Sequence, residues 1–255
     1  MGLFDLFGSK EERDRNALRK LGQKITERYG PAENRQKAID QLASLGTPAA
    51  LKTLCLRFTV RSEVGITDDE EKESVRRHLV AAGTGALAPV KEFLAEQEGG
   101  SSWGLRVLAE LLPDAEVRST AVALLAEAGR RYTRDPEKKL TLLAWLTEHH
   151  GGSAAAGAGA DAATEAAILP LLEDFADDVR IRATRALSRL GAGEAGREAL
   201  IQLLLRDTDN ARVRGEVLQA LCDLAADVKG HRPSVEPLLV EPFFLDREGR
   251  VKKRG

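Results

Sequence analysis

Asp177-Asp178-Val179-Arg180-Ile181-Arg182-Ala183-Thr184-Arg185-Ala186-Leu187-Ser188-Arg189-Leu190-Gly191 carries the architecture of this chain. Laid over residues 211–225, 34 positions further on, Val179 meets Val213, Ala183 meets Val217, Ala186 meets Ala220, Leu187 meets Leu221 and Leu190 meets Leu224. Those positions run i, i+4, i+7, i+8, i+11, one face of an α-helix, and Arg180 falls on Arg214 outside that stripe. A helix pattern that returns at a fixed interval marks a repeat protein, in which each unit buries its apolar stripe against its neighbours.

The same pattern extends toward the N-terminus. Ala38, Leu42, Leu45 and Gly46 recur as Val75, Leu79, Ala82 and Gly83, and again as Ala183, Leu187, Leu190 and Gly191. Thr47-Pro48 and Asp135-Pro136 read as an N-cap with proline in the first helical position, and Thr67-x-x-Glu70 reads as a capping box. These signals predict an opening helix over 11–28 and five pairs: 32–45 with 47–57, 69–82 with 86–97, 101–112 with 115–130, 135–149 with 161–173, and 177–190 with 194–206. A further helix over 210–227 begins an incomplete unit.

Composition agrees with helices. Of 255 residues only 2 are Trp, 2 Tyr and 7 Phe, too few for a large aromatic core, while Ala and Leu, strong helix formers, are abundant. With 38 Lys and Arg against 40 Asp and Glu, the chain lacks the basic excess that phosphate binding needs, so no nucleic-acid partner is expected. No apolar run reaches the length of a membrane span, and two isolated cysteines among leucines, Cys55 and Cys222, suit a reducing compartment, so a cytoplasmic location is expected.

Three stretches interrupt the rhythm. Residues 58–68 are predicted to be an ordered surface loop. Residues 151–160, Gly-Gly-Ser-Ala-Ala-Ala-Gly-Ala-Gly-Ala, read as a mobile linker. Phe243–Val251 reads as a small hairpin around Gly249, followed by a frayed Lys252-Lys253-Arg254. The domain reading is therefore an N-terminal segment and capping helix over 1–30, a repeat array over 31–230, and an extension over 231–255.

The segments Asp177-Asp178-Val179-Arg180-x-x-Ala183-x-x-Ala186-Leu187-x-x-Leu190-Gly191 and Ala211-Arg212-Val213-Arg214-x-x-Val217-x-x-Ala220-Leu221 resemble HEAT repeats, particularly the short type seen in phycobilisome-lyase-like proteins. The resemblance implies an all-α, right-handed α-solenoid of about five helix pairs. It also implies that Asp177 or Asp178 with Arg180, and Asp209 with Arg214, join adjacent repeats. HEAT proteins are mostly scaffolds and adaptors, so the implied function is a non-enzymatic protein-binding scaffold. The alternative is an enzyme or enzyme accessory of the lyase-like or metal-dependent class, and a nucleic-acid-binding repeat protein ranks third.

The chemistry-bearing residues fit that ranking. His78, His149, His150 and His231 lack the repeated His-Glu dipeptides with which some helical-repeat enzymes bind iron, and Glu148-His149-His150 reads as helix-end capping. No metal, cofactor or catalytic constellation is expected. Trp103 and Trp145 lie among leucines and read as packing residues. A protein or peptide partner is expected on the second helix of each pair, through Lys52, Arg57, Lys91, Glu92, Arg197, Gln202 and Arg206, beside Glu198. Leu3, Phe4, Leu6 and Phe7 stand ahead of a strongly charged helix; they read first as a cap on the first repeat, and second as a segment that docks on a partner or weakly on a membrane surface. Partner identity and oligomeric state stay open at this level.

Overall fold

A computed structural model describes residues 10–149 and 161–254. The chain divides into two compact units, Met1–Val117 and Arg118–Gly255. The expected linker at 151–160 and the apolar residues Leu3, Phe4, Leu6 and Phe7 lie outside the described residues. Among these, no helix is long and apolar enough to cross a membrane.

The fold is all-α, a helical-repeat solenoid, as the periodicity predicts. The first unit holds α1 (Lys10–Ile25), α2 (Ala32–Leu45), α3 (Pro48–Cys55), α4 (Gly65–Ala81), α5 (Leu87–Glu96) and α6 (Ser101–Leu111), and α7 (Asp114–Gly129) begins at its end. First helices of successive pairs pack in one row, α2 on α4 and α4 on α6, while α3 packs on α5 in the other. The opening helix α1 covers both α2 and α3. Thr47 Oγ1 accepts the Ala50 amide at 3.2 Å and Pro48 occupies the first turn, while Gly46, in the left-handed region at φ 57°, closes α2.

The second unit repeats the plan with α8 (Glu137–Glu148), α9 (Ala162–Ile168, continued by a 3₁₀ turn to Glu173), α10 (Asp177–Leu190), α11 (Glu194–Arg206), α12 (Ala211–Asp223) and the short α13 (Arg232–Val235). α8, α10 and α12 form one row; α11 packs on the turn after α9 and on α13 in the other. The residues of the quoted stripe, Val179, Ala183, Ala186, Leu187 and Leu190, are buried, as are their partners Val213, Val217, Ala220 and Leu221. Burying a Leu or Val side chain contributes about 1.5–3 kcal/mol, so this stripe holds the pair α10 and α12 together.

Ion pairs line the outside of that joint. Asp178 meets Arg212 at 2.8 Å, Asp177 accepts from Asn210 at 2.8 Å, Arg180 reaches Asp207 at 3.0 Å, and Arg185 meets Glu216 at 2.6 Å. The inter-repeat role of Asp177, Asp178 and Arg180 thus stands. The pairing of Asp209 with Arg214 does not: Arg214 instead donates to the Thr208 carbonyl at 2.7 Å.

The C-terminal hairpin is present, β1 (Phe243–Leu245) antiparallel to β2 (Val251–Lys253), with Gly249 at φ 80° in the turn. Its basic end is ordered rather than frayed. Lys252 and Lys253 belong to β2, Arg254 donates its amide to the Pro242 carbonyl at 2.9 Å, and Lys253 Nζ reaches Gln219 Oε1 on α12 at 3.0 Å. So short a ribbon needs that support from a neighbouring helix.

The segment 58–68 departs most from expectation. Phe58 is buried, and α4 begins at Gly65, with Val64 as its N-cap, so Thr67 lies inside the helix and no capping box forms. Electrostatics account for the earlier start, because helix geometry from Gly65 turns Asp68, Glu71 and Lys72 inward together, where two arginines wait for them.

Candidate functional site

Those arginines form the most deeply buried polar feature of the first unit. Arg57, with no exposed surface, donates to Asp68 Oδ1 at 2.6 Å, Glu71 Oε2 at 2.8 Å and the Val60 carbonyl at 2.9 Å. Arg35 grips Glu71 through Nε and Nη2, both at 2.9 Å, and donates to the Gly30 carbonyl. Lys72 Nζ reaches Asp68 Oδ2 at 2.7 Å, and the Ser62 amide donates to Asp68 Oδ1 at 2.8 Å. Burial alone would raise the Asp68 carboxyl, but the hydrogen bonds from Lys72, Ser62 and Arg57 outweigh it and hold the group well below the usual carboxylate range. The carboxylates of Asp68 and Glu71 are both met by donors from within the chain, so the cluster fastens α2, α4 and the turn after α3.

This placement corrects the reading of Arg57 as a partner-binding residue. The residue closes the helix expected over 47–57, the second of its pair, whose charged side chains were assigned to the partner-binding face. The chain after Cys55 tightens into a 3₁₀ turn over Leu56–Thr59, which rotates Arg57 toward the core.

The remaining candidates fall into two groups. Lys52 and Glu92 do come together in the first unit: Lys52 Nζ sits 3.0 Å from Glu92 and 2.7 Å from Glu96. Hydrogen bonds donated to Glu96 and then Glu92 raise the Lys52 ammonium above its ordinary value, so it stays a cation. Lys91 is exposed on α5. Arg197, Gln202 and Arg206 lie on α11 in the other unit; Gln202 is bonded to Glu198 at 2.8 Å, and Arg206 to the Leu172 carbonyl at 2.8 Å.

Lys52 stands on the wall of a groove of about 700 Å³ between α1, α3 and α5. Leu18, Ala49, Leu56 and Phe93 supply its apolar lining, and Asp14, Arg15, Arg19, Lys52 and Glu96 its charged rim. The volume lies in the range of small-ligand sites, and an apolar floor with a few convergent ionic groups is their usual chemistry. Sequence reading reached Lys52 but missed the lining. The signal was the lopsided opening helix: α1 seats Gly22 against Thr53 and buries Ile25 at its C-terminal half, whereas Lys10–Asn16 contains no apolar side chain to cover α3 and α5.

The other chemical candidates are accounted for by packing. Trp103 stacks on Phe58 with ring centroids 5.7 Å apart, and Trp145 on His149 at 4.5 Å. His149 Nδ1 lies 3.0 Å from the Trp145 carbonyl at the end of α8, and His231 lies 3.2 Å from Glu198. His150 falls outside the described residues. Burial pushes the Cys55 thiol up to about 12. Among the described residues, no three His, Cys, Asp or Glu side chains are grouped so as to hold a metal ion.

Rows of paired helices within each unit, each buried against the next, define the class as an all-α helical-repeat protein. No protein-family model matches the chain, and neither does any curated protein. Among solved structures, the chain shows similarity to human deoxyhypusine hydroxylase in complex with glycerol, at 18% identity over 89% of this chain and 93% of that chain, with a TM-score of 0.29. That neighbour is an enzyme, so the expectations of a non-enzymatic scaffold and of no enzyme do not stand. At so loose a superposition, nothing of the hydroxylase's chemistry is carried to this chain.

Proposed function

We propose that the chain serves an enzymatic reaction, as the enzyme or as the subunit that holds its substrate, and that the ligand is taken in the groove of the first unit. The groove itself carries this reading: an apolar lining formed by Leu18, Leu56 and Phe93, with the Lys52 ammonium kept protonated at its edge. Such a site suits a molecule with an apolar body and an anionic end, the body displacing water from the lining while the anion meets Lys52, Arg15 or Arg19. For the repeats themselves we assign the short type resembling that of phycobilisome-lyase-like proteins, on the 34-residue recurrence between 177–191 and 211–225.

The test uses 1-anilinonaphthalene-8-sulfonate as probe, an aromatic body bearing a sulfonate. Titration with the native chain is expected to show saturable binding, weakened about tenfold in Lys52→Met, the scale of one charged hydrogen bond. Leu18→Glu is expected to abolish it while circular dichroism stays native. Equal binding by all three proteins would remove the groove as the site.

A further inference from the structure

Arg182, Arg185 and Arg189 of α10 line one small pocket of the second unit, and their spacing of i, i+3 and i+7 puts them on one face of the helix. The two neighbouring helices treat that face differently. On α12, 34 positions further on, Arg182 and Arg189 correspond to Glu216 and Asp223, and both acids are already engaged. Glu216 holds Arg185 at 2.6 Å, while Asp223 accepts from Gln219 at 2.7 Å and from Ser188 at 3.4 Å. On α8 the lining residues are Ala144, Thr147 and Glu148, and the small side chains of the first two leave a space of about 120 Å³. Thr147 donates its hydroxyl to the Leu143 carbonyl at 2.6 Å. Among the described residues, neither the half-buried Arg182 nor the exposed Arg189 has an ion pair or hydrogen bond. Glu148, the single carboxylate of the lining, is exposed and pairs with none of the three arginines.

We propose that this pocket is an anion site that takes the phosphate group of a phosphomonoester. It belongs to the second unit and does not depend on the reading of the groove in the first.

Charge and size both favour that group. Guanidiniums gathered on one helix face repel one another, and of these three Arg185 alone has a counter-charge, Glu216. The chain that follows does not supply the rest, since residues 150–160 contain no Asp or Glu. An arginine fork donates two parallel hydrogen bonds to phosphate oxygens, and the guanidinium stays charged at every working pH. A planar carboxylate offers two oxygens. A phosphomonoester offers three, arranged about a tetrahedral centre, so it can accept from Arg182 and Arg189 together while Arg185 stays on Glu216. Sites that enclose a whole small ligand run to about 300–1,000 Å³. At about 120 Å³ this pocket takes an end group, and the body of the ligand stays outside it.

The experiment uses the full chain at pH 8, where phosphomonoesters are dianions, with the ionic strength held constant by sodium chloride. Inorganic phosphate, β-glycerophosphate and the tripeptide Gly-phosphoserine-Gly are titrated by calorimetry; none has an apolar body to fill the groove of the first unit. One saturable site is expected for each probe, weakened at least about tenfold in Arg182→Gln/Arg189→Gln, the scale of one charged hydrogen bond. Ala144→Glu, whose carboxylate enters the pocket, is expected to abolish binding while it retains every arginine, and it decides the matter should the double variant fail to fold. Arg212→Gln, which removes an exposed guanidinium already bound to Asp178, is expected to bind as the native chain does. Tighter binding of the tripeptide than of β-glycerophosphate identifies a phosphorylated chain as the source of the group, and the reverse order a small phosphomonoester; both uphold the site. Absence of saturable binding by all three probes up to about 10 mM overturns the proposal. So does native affinity in Arg182→Gln/Arg189→Gln or in Ala144→Glu, or an equal loss in Arg212→Gln, which marks a diffuse attraction of anions to basic surface.

Discussion

Replacing Arg57 by methionine probes the ion cluster of the first unit. The guanidinium contributes ion contacts of 2.6 Å to Asp68 and 2.8 Å to Glu71, and its loss leaves two buried carboxylates short of a donor. Removing one partner of a buried pair costs about 3–5 kcal/mol. Here the low end applies, because Asp68 keeps Lys72 at 2.7 Å and the Ser62 amide at 2.8 Å, and Glu71 keeps Arg35 at 2.9 Å. For a unit of 117 residues, about 3 kcal/mol at about 4 °C per kcal/mol lowers the melting temperature by about 12 °C. Trp103 reports on this unit directly, since its ring stacks on Phe58, the residue after Arg57. In a Trp145→Phe background, thermal unfolding followed by Trp103 emission is expected to shift by that amount in Arg57→Met and by less than about 0.5 kcal/mol in the exposed Lys91→Ala. A shift in Arg57→Met no larger than in Lys91→Ala would refute the cluster as a fastening. The same arithmetic warns that Arg57→Glu, introduced to disrupt a docking face, would abolish binding by unfolding the unit.

Three further outcomes follow from named contacts. The depressed carboxyl of Asp68 contributes stability that is complete above its ordinary value near about 4 and drains away as pH falls below it; acid titration of Trp103 emission should therefore show a steep loss in the native chain and a shallower one in Asp68→Asn, which is also less stable at pH 7. Gly104 on α6 has Leu94 atoms 2.7 Å and 2.9 Å from the place a Cβ would take, so Gly104→Ala should lose about 1–3 kcal/mol to overpacking, offset by about 0.5–1 kcal/mol of helix preference, a net destabilisation measurable by chemical denaturation. Burial pushes the Cys55 thiol up to about 12, so iodoacetamide at pH 8 should alkylate the half-buried Cys222 in the folded chain and reach Cys55 only in denaturant, as peptide mass analysis will show.

The rows of helices were legible because their information is local. An apolar residue every third or fourth position buries one stripe whatever the helix packs against, and capping residues such as Thr47 and Gly46 act on amides and carbonyls a few residues away. The expected limits of α10 and α11 accordingly coincide with those observed, Asp177–Leu190 and Glu194–Arg206. Lys52 and Glu92 were legible as residues of second helices, whereas their contact at 3.0 Å was settled by the packing of α3 on α5.

Arg57, Asp68 and the groove were settled by tertiary structure, because each depends on residues distant in the chain. A charged side chain after an amphipathic helix ordinarily faces water, and Arg57 is buried because Asp68 and Glu71, from a different helix, compensate its charge there. The groove arises where a polar half-helix crosses an apolar wall, a mismatch between α1 and two helices more than thirty residues away that no periodicity in α1 alone expresses. Repetition in the residues therefore yields the stacked helices, while charge compensation and incomplete coverage across the stack determine which side chains are hidden and where a ligand finds room.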